Sequence, residues 1–142
     1  MTIDPLWYEL RNCVHQRQFA IAEKLLAAKP ELFELRNGIG ETVLHFLAVE
    51  NDREGVEWLY YRGFSVNTQT RFGEPMVFEV AALGHKELLL WLADHGADFF
   101  VVDRKNRNII EFLRRRRAKA ELMVQFVFEN IPLLKKLALR ER

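Results

Sequence analysis

The residues that could do chemistry are few: four histidines (His15, His45, His85, His95), one cysteine (Cys13), one serine (Ser65) and scattered carboxylates. Acid–base or metal chemistry needs histidines that converge with carboxylates. The spacing here disperses them. His15 falls near the end of a first helix, and His85 starts a later one. His95 follows Asp94 at a helix end, where a partial positive charge is favourable. Cys13 has no neighbours that would activate a thiolate, so it reads as a small packing residue. Gly38-Ile-Gly40 reads as a turn, not a phosphate cradle. A nucleophile elbow needs Gly-x-Ser-x-Gly, and Ser65 has no such flanks. Carboxylate pairs such as Glu54 and Glu57 read as solvated helix faces. The expectation is a protein that is not an enzyme, with no catalytic residue, cofactor, metal or small-molecule substrate.

These residues must be held by one domain, since the chain has 142 residues and a mass of 16.8 kDa. Hydrophobic residues make up 49% and charged residues 29%, too apolar for disorder. A lone cysteine cannot form an internal disulfide or a thiolate metal cluster. The first residues lack a basic start followed by an apolar run, and no stretch approaches a membrane span. A cytoplasmic protein with no membrane contact is expected. The net charge of +1 conceals an asymmetry. Residues 1–36 balance, residues 37–103 carry −7 and residues 104–142 carry +8. Such a field steers charged partners.

The chain also repeats itself. Asn37-Gly-Ile-Gly-Glu-Thr-Val-Leu-His45 is followed 33 residues on by Thr70-Arg-Phe-Gly-Glu-Pro-Met-Val-Phe78, and after the same interval by Asp103-Arg-Lys-Asn-Arg-Asn-Ile-Ile-Glu111. Glu54-Gly-Val-Glu-Trp-Leu59 matches Glu87-Leu-Leu-Leu-Trp-Leu92 and, with one insertion, Glu121-Leu-Met-Val-Gln-Phe126. Gly63 matches Gly96. A degenerate copy around Ala22-Glu-Lys-Leu-Leu26 precedes them.

Each unit reads as two short helices. Thr42 is placed to cap the first, and Val43, Leu44, Leu47 and Ala48 give it one apolar face. Asp52 can cap the second, whose face is Val56, Leu59 and Tyr60 and whose end is Gly63. Val77, Val80 and Ala81, then Leu88, Leu89 and Leu92, repeat the pattern. Asn108 and Glu111 are spaced as a capping box. Helices this short are marginal alone, so neighbouring units must stack. The units fall at approximately 1–36, 37–69, 70–103 and 104–130, with a short C-terminal helix over 131–142 in which Leu133, Leu134, Leu137 and Leu139 cover the open end.

Gly40, Thr42-Val-Leu-His45, Ala48 and Gly63, then Gly73, Ala81-Ala82, Gly84-His85, Leu92 and Gly96-Ala97-Asp98, resemble the ankyrin repeats. The resemblance implies an all-α solenoid of about four helix-turn-helix repeats, with an N-terminal cap, two full repeats and a C-terminal cap, filling the chain as a single domain. It implies that the His45 ring braces its turn. Pro75 and Phe78 stand where the pattern has Thr and His, which removes those hydrogen bonds from the second turn. Arg114 stands where a small residue would pack, and Arg114 to Arg117 give the last repeat a polar outer face. Trp58 and Trp91 share one repeat position, on the convex side.

What the resemblance implies about function is partner binding through turn tips and the inner face of the first helices. Carried across, the first unit offers Ile39, Glu41, Val49 and Glu50. The second offers Gln69, Arg71, Phe72, Glu74, Ala82 and Leu83, and the third Arg104, Lys105, Arg107 and Arg115. Ile39, Phe72 and Leu83 are apolar where the fold does not need them, and are expected to form an exposed strip. Glu41, Glu50 and Glu74 are expected to rim it. The partner is expected to be another protein, a basic one if the acidic rim decides, as for a small inhibitor or immunity-type protein that masks an enzyme. Nucleic acid is the weaker alternative, because a run of four arginines on a helix points in all directions rather than along one track.

Overall fold

The structure is a computed structural model that describes residues 4–116 and 120–141, with side chains up to residue 137. Arg117 and Lys119 of the basic run, and the side chain of Leu139, lie outside the described residues. The architecture is all-α, and among the described residues the extended pairing is limited to one isolated bridge, Gln69 with Pro75.

Among the described residues eight α-helices fall into four sequential pairs: α1 (Pro5–His15) with α2 (Phe19–Ala28), α3 (Val43–Val49) with α4 (Arg53–Tyr61), α5 (Met76–Ala82) with α6 (Lys86–Asp94), and α7 (Ile109–Arg114) with α8 (Ala120–Asn130). The first helices of the pairs stack in order, α1 on α3, α3 on α5 and α5 on α7. Their facing residues are the core. Leu10, Val14, Leu44, Leu47, Val77, Val80, Ile110 and Leu113 are all buried. Fully burying one leucine-sized side chain is worth roughly 1.5–3 kcal/mol. The stack therefore supplies what helices of six to eleven residues lack alone.

Local chemistry sets the ends. Asp4 caps α1 through the Leu6 amide at 2.9 Å, with Pro5 at the first helical position. Thr42 caps α3 and Asp52 caps α4, both as the sequence predicts. Asn108 and Glu111 close a reciprocal capping box on α7. Beyond α8 the expected short helix is a 3-10 segment, Pro132–Glu141. Leu134 is buried and Leu137 packs on the core, but Leu133 points outwards. Cys13 is a buried core residue whose thiol is pushed up by burial, and further by Glu9. Trp58 is half-buried and stacks on Phe19, while Trp91 is buried and stacks on His95.

Electrostatic contacts join the first pair to the second, Arg62 with Glu23 and a cluster around Asp52. The buried Asp52 carboxylate accepts from Arg17 Nη2 at 2.7 Å and Nη1 at 3.1 Å, and from His15 Nδ1 at 3.1 Å. Arg17 also pairs with Glu54. Burial pushes the Asp52 carboxyl upwards. The Arg17, His15 and Gly55 hydrogen bonds outweigh burial and hold it below its ordinary value of 3.8. A carboxyl whose folded-state pKa is depressed stabilises fully above its unfolded value and loses that contribution as pH falls through the folded one. Asp52→Asn is thus expected to be less stable than the parent at neutral pH, with the deficit shrinking as pH drops below about 4. Thermal unfolding across this window checks it. A deficit independent of pH would show that the charge contributes nothing.

Candidate partner-binding surface

The candidate surface is built on three turns in strict register. A side-chain oxygen at residues 37, 70 and 103 closes each one. Asn37 Oδ1 accepts from the amides of Ile39 and Glu41, at 3.2 and 2.9 Å. Thr70 Oγ1 accepts from Phe72 and Glu74, at 3.2 and 3.3 Å. Asp103 Oδ1 accepts from Lys105 and Arg107, at 3.0 and 2.9 Å. Asn, Thr and Asp share little in sequence, but each offers one short-reach acceptor. The second turn thus loses its Thr and His bonds to Pro75 and Phe78, as expected, yet Thr70 closes it. Phe78 is buried and packs on Phe112 at 5.1 Å.

The turns also pack on one another. Arg71 donates its amide to Ile39 O at 2.9 Å, and Arg104 Nη2 donates to Arg71 O at 2.7 Å. A Cβ on Gly40 would lie 2.5 Å from Arg71 N, and one on Gly73 would lie 2.9 Å from Arg104 Cβ. Both glycines also have positive φ, +89° and +75°. The third equivalent is Asn106, with φ 61°. Asn tolerates this conformation.

These contacts leave the tips in solvent. Ile39 is 45% exposed and Phe72 55% exposed. Gln69, Arg71, Arg104 and Lys105 are exposed in the same turns, Arg115 is exposed at the end of α7, and Val49 is half-buried with Glu50 exposed at the end of α3. Leu83 is 47% exposed but does not continue the same strip. It lines a cavity of ≈ 290 Å³ between α5, α7 and α8, beside Leu122 and Met123. Phe72 lines another, of ≈ 380 Å³, with Glu74, Lys105, Arg107 and Phe112. Arg116 borders both. Arg116 and Phe112 are additions that the repeat register did not single out. Phe112 reads as core, and Arg116 is one of four consecutive arginines.

Glu41 is corrected. It was expected on the rim, but it is 4% exposed. Its carboxylate turns back to accept from Asn37 Nδ2 at 2.8 Å, and lies 3.9 Å from His45 Nε2. Glu74 is half-buried. Its carboxyl is pushed up by burial and by the charge of Glu79, with Arg116 and Arg107 opposing. Arg107 folds onto Asp103, with Nη2 2.8 Å from Oδ2. Arg114 does not project freely but pairs with Glu121 at 2.7 Å. The acidic rim is therefore thin, and the exposed charge at the tips is basic.

Behind the tips lies a buried polar group, Glu41, His45 and Glu79, whose donor atoms fall within 4.8 Å of one another. Imidazole and carboxylates are donor types that suit a divalent cation. The protein's own groups already engage this imidazole. His45 Nε2 lies 3.1 Å from Glu79 Oε1 and Nδ1 lies 2.7 Å from Thr68 Oγ1. With Nε2 donating to the carboxylate, Nδ1 accepts from the threonine hydroxyl. Both ring nitrogens are thus used on Thr68 and on Glu79 of α5, not on the turn before α3 that the resemblance has the ring brace. His85 is likewise tied, through Nε2 to Val49 O at 2.8 Å, and His95 through Nδ1 to Trp91 O at 2.7 Å.

No known protein-family model matches the chain. Among the described residues no helix is long and apolar enough to cross a membrane.

The buried ring generates a prediction. His45→Ala leaves Glu79 without this donor and opens a void at a fully buried position. It should lower stability by about 3 kcal/mol, from an unmade buried bond plus the cavity. Urea denaturation measures this, and a loss under about 1 kcal/mol would show that the ring is dispensable.

Proposed function

We propose that the chain is an ankyrin-type repeat solenoid that binds a partner protein, through its turn tips and the inner face of its first helices, and that it catalyses no reaction. The recurrence of one turn geometry at residues 37, 70 and 103, and the ordered stacking of α1, α3, α5 and α7, support the repeat reading. The single observation that carries the binding reading is Phe72, a large aromatic ring that stands 55% exposed at the tip of a well-bonded turn. Folding gains little from it there. An apolar side chain rigidly held in solvent, among exposed arginines, is how binding anchors are built. Ile39 stands one turn away and extends the anchor. The absence of catalysis is supported by the way the histidines are committed, each ring nitrogen pair being partly or wholly used in internal bonds. A cytoplasmic setting fits a lone buried thiol with no disulfide.

The test is Phe72→Ala. It should weaken capture of the partner, isolated by affinity purification and mass spectrometry, by at least about tenfold. Stability should change by less than about 0.5 kcal/mol, as at other surface positions. A loss of several kcal/mol would make Phe72 part of the core. Unchanged binding would move the site to another face.

A further inference from the structure

We propose that the cavity between Phe72 and Phe112 docks an acidic segment of the partner protein, which sets its carboxylates on the surrounding cations and one apolar side chain between the two rings. This rests on the binding reading above and names the chemistry of the partner. The cations are Arg71, Arg104, Lys105, Arg107 and Arg116. Of these, Arg107 alone is engaged by a carboxylate within ion-pair distance, that of Asp103. The other four are exposed, with no such carboxylate within 4.0 Å among the described residues.

The guanidinium groups are also held in place. Arg71 lies 4.9 Å from the centre of the Phe72 ring. Arg116 and Arg107 lie 5.0 and 5.4 Å from the centre of the Phe112 ring. Arg104 is fixed by its bond to Arg71 O at 2.7 Å. A planar guanidinium resting on an aromatic face keeps its fork free for a carboxylate and loses little freedom on binding. Buried Phe112 forms the apolar floor and exposed Phe72 the wall. The volume, ≈ 380 Å³, has room for one side chain with part of its backbone.

Charge selects the partner. Of the two acidic members of the cavity, Asp103 is paired with Arg107, and Glu74 is half-buried and faces the charges of Arg116 and Arg107, leaving the cations in excess. What faces outwards is positive, so a basic segment would be repelled and an acidic one drawn in. A polynucleotide needs repeated phosphate contacts along a track. Four of these cations, Arg104, Lys105, Arg107 and Arg116, instead line one cavity with an apolar floor, and Arg71 rests on the Phe72 ring at its edge, which suits a short peptide segment.

Random peptides displayed on phage, selected on the full chain at about 150 mM salt, provide the probe. The selected peptides should carry net negative charge around an aromatic or aliphatic residue. As synthetic peptides they should bind at least about tenfold more weakly to the Lys105→Glu/Arg116→Glu variant. Among the described residues Lys105 makes no side-chain bond, so Lys105→Glu alone is the companion variant if the double substitution lowers the melting temperature. Glu87→Lys, on the exposed face of α6, should leave binding unchanged. Selected peptides that are neutral or basic, or that depend on Glu87 and ignore Lys105, would overturn the acidic partner and leave the binding module standing. Failure to select any peptide would count against the binding module itself. Labelled oligothymidylate that binds more tightly than the peptides and shares their sensitivity would overturn the proposal in favour of nucleic acid.

Discussion

Helices of six to eleven residues do not hold themselves together in water, so each one here exists because a neighbour covers its apolar face. That constraint governs the rest of the molecule. It requires α1, α3, α5 and α7 to follow one another at a constant offset, and the chain must return to the same place after every pair. The turns closed by Asn37, Thr70 and Asp103 are the device that returns it. Because each turn is closed by its own side chain and then packs on the next, the residues at its tip are presented rigidly. Phe72 owes its exposure to this geometry, since the ring is carried beyond the reach of the helices.

Polar groups complete the joints between units. Asp52 receives Arg17 and His15 from the unit before it and also caps its own helix. His45 reaches forward to Glu79 and Thr68. Such buried charged contacts add little net energy compared with apolar packing, but breaking one partner leaves the other stranded. They act against slippage: a unit shifted by one helical turn would strand a carboxylate as well as misplace a leucine.

The same packing decides where charge is left over. The middle of the sequence is acidic, and the expectation of an acidic groove came from that count. The fold spends four of those carboxylates internally. Glu41 accepts from Asn37, Asp52 from Arg17, Asp103 from Arg107, and Glu79 faces His45. Of the arginines at the tips, Arg107 answers Asp103 and Arg104 bonds a backbone carbonyl, while Arg71 has no carboxylate within ion-pair distance among the described residues. The surface at the turns is therefore basic although the segment that builds it is not.

The sequence by itself determined the helical class, the 33-residue offset, the caps at Thr42, Asp52 and Asn108, and the exposure of Ile39 and Phe72. These depend on local rules: apolar spacing along one helix, side chains that reach the next amide, and glycine where φ turns positive. Only the tertiary structure decided the inward turn of Glu41, the substitution of Thr70 for the missing turn bonds, the separation of Leu83 from Phe72, and the approach of Arg116 to Phe112. Leu83 is placed by residues of the next unit, Leu122 and Met123. The other three contacts lie within four residues of chain, but each side chain has several directions open to it, and type and spacing alone do not say which one the packed fold selects.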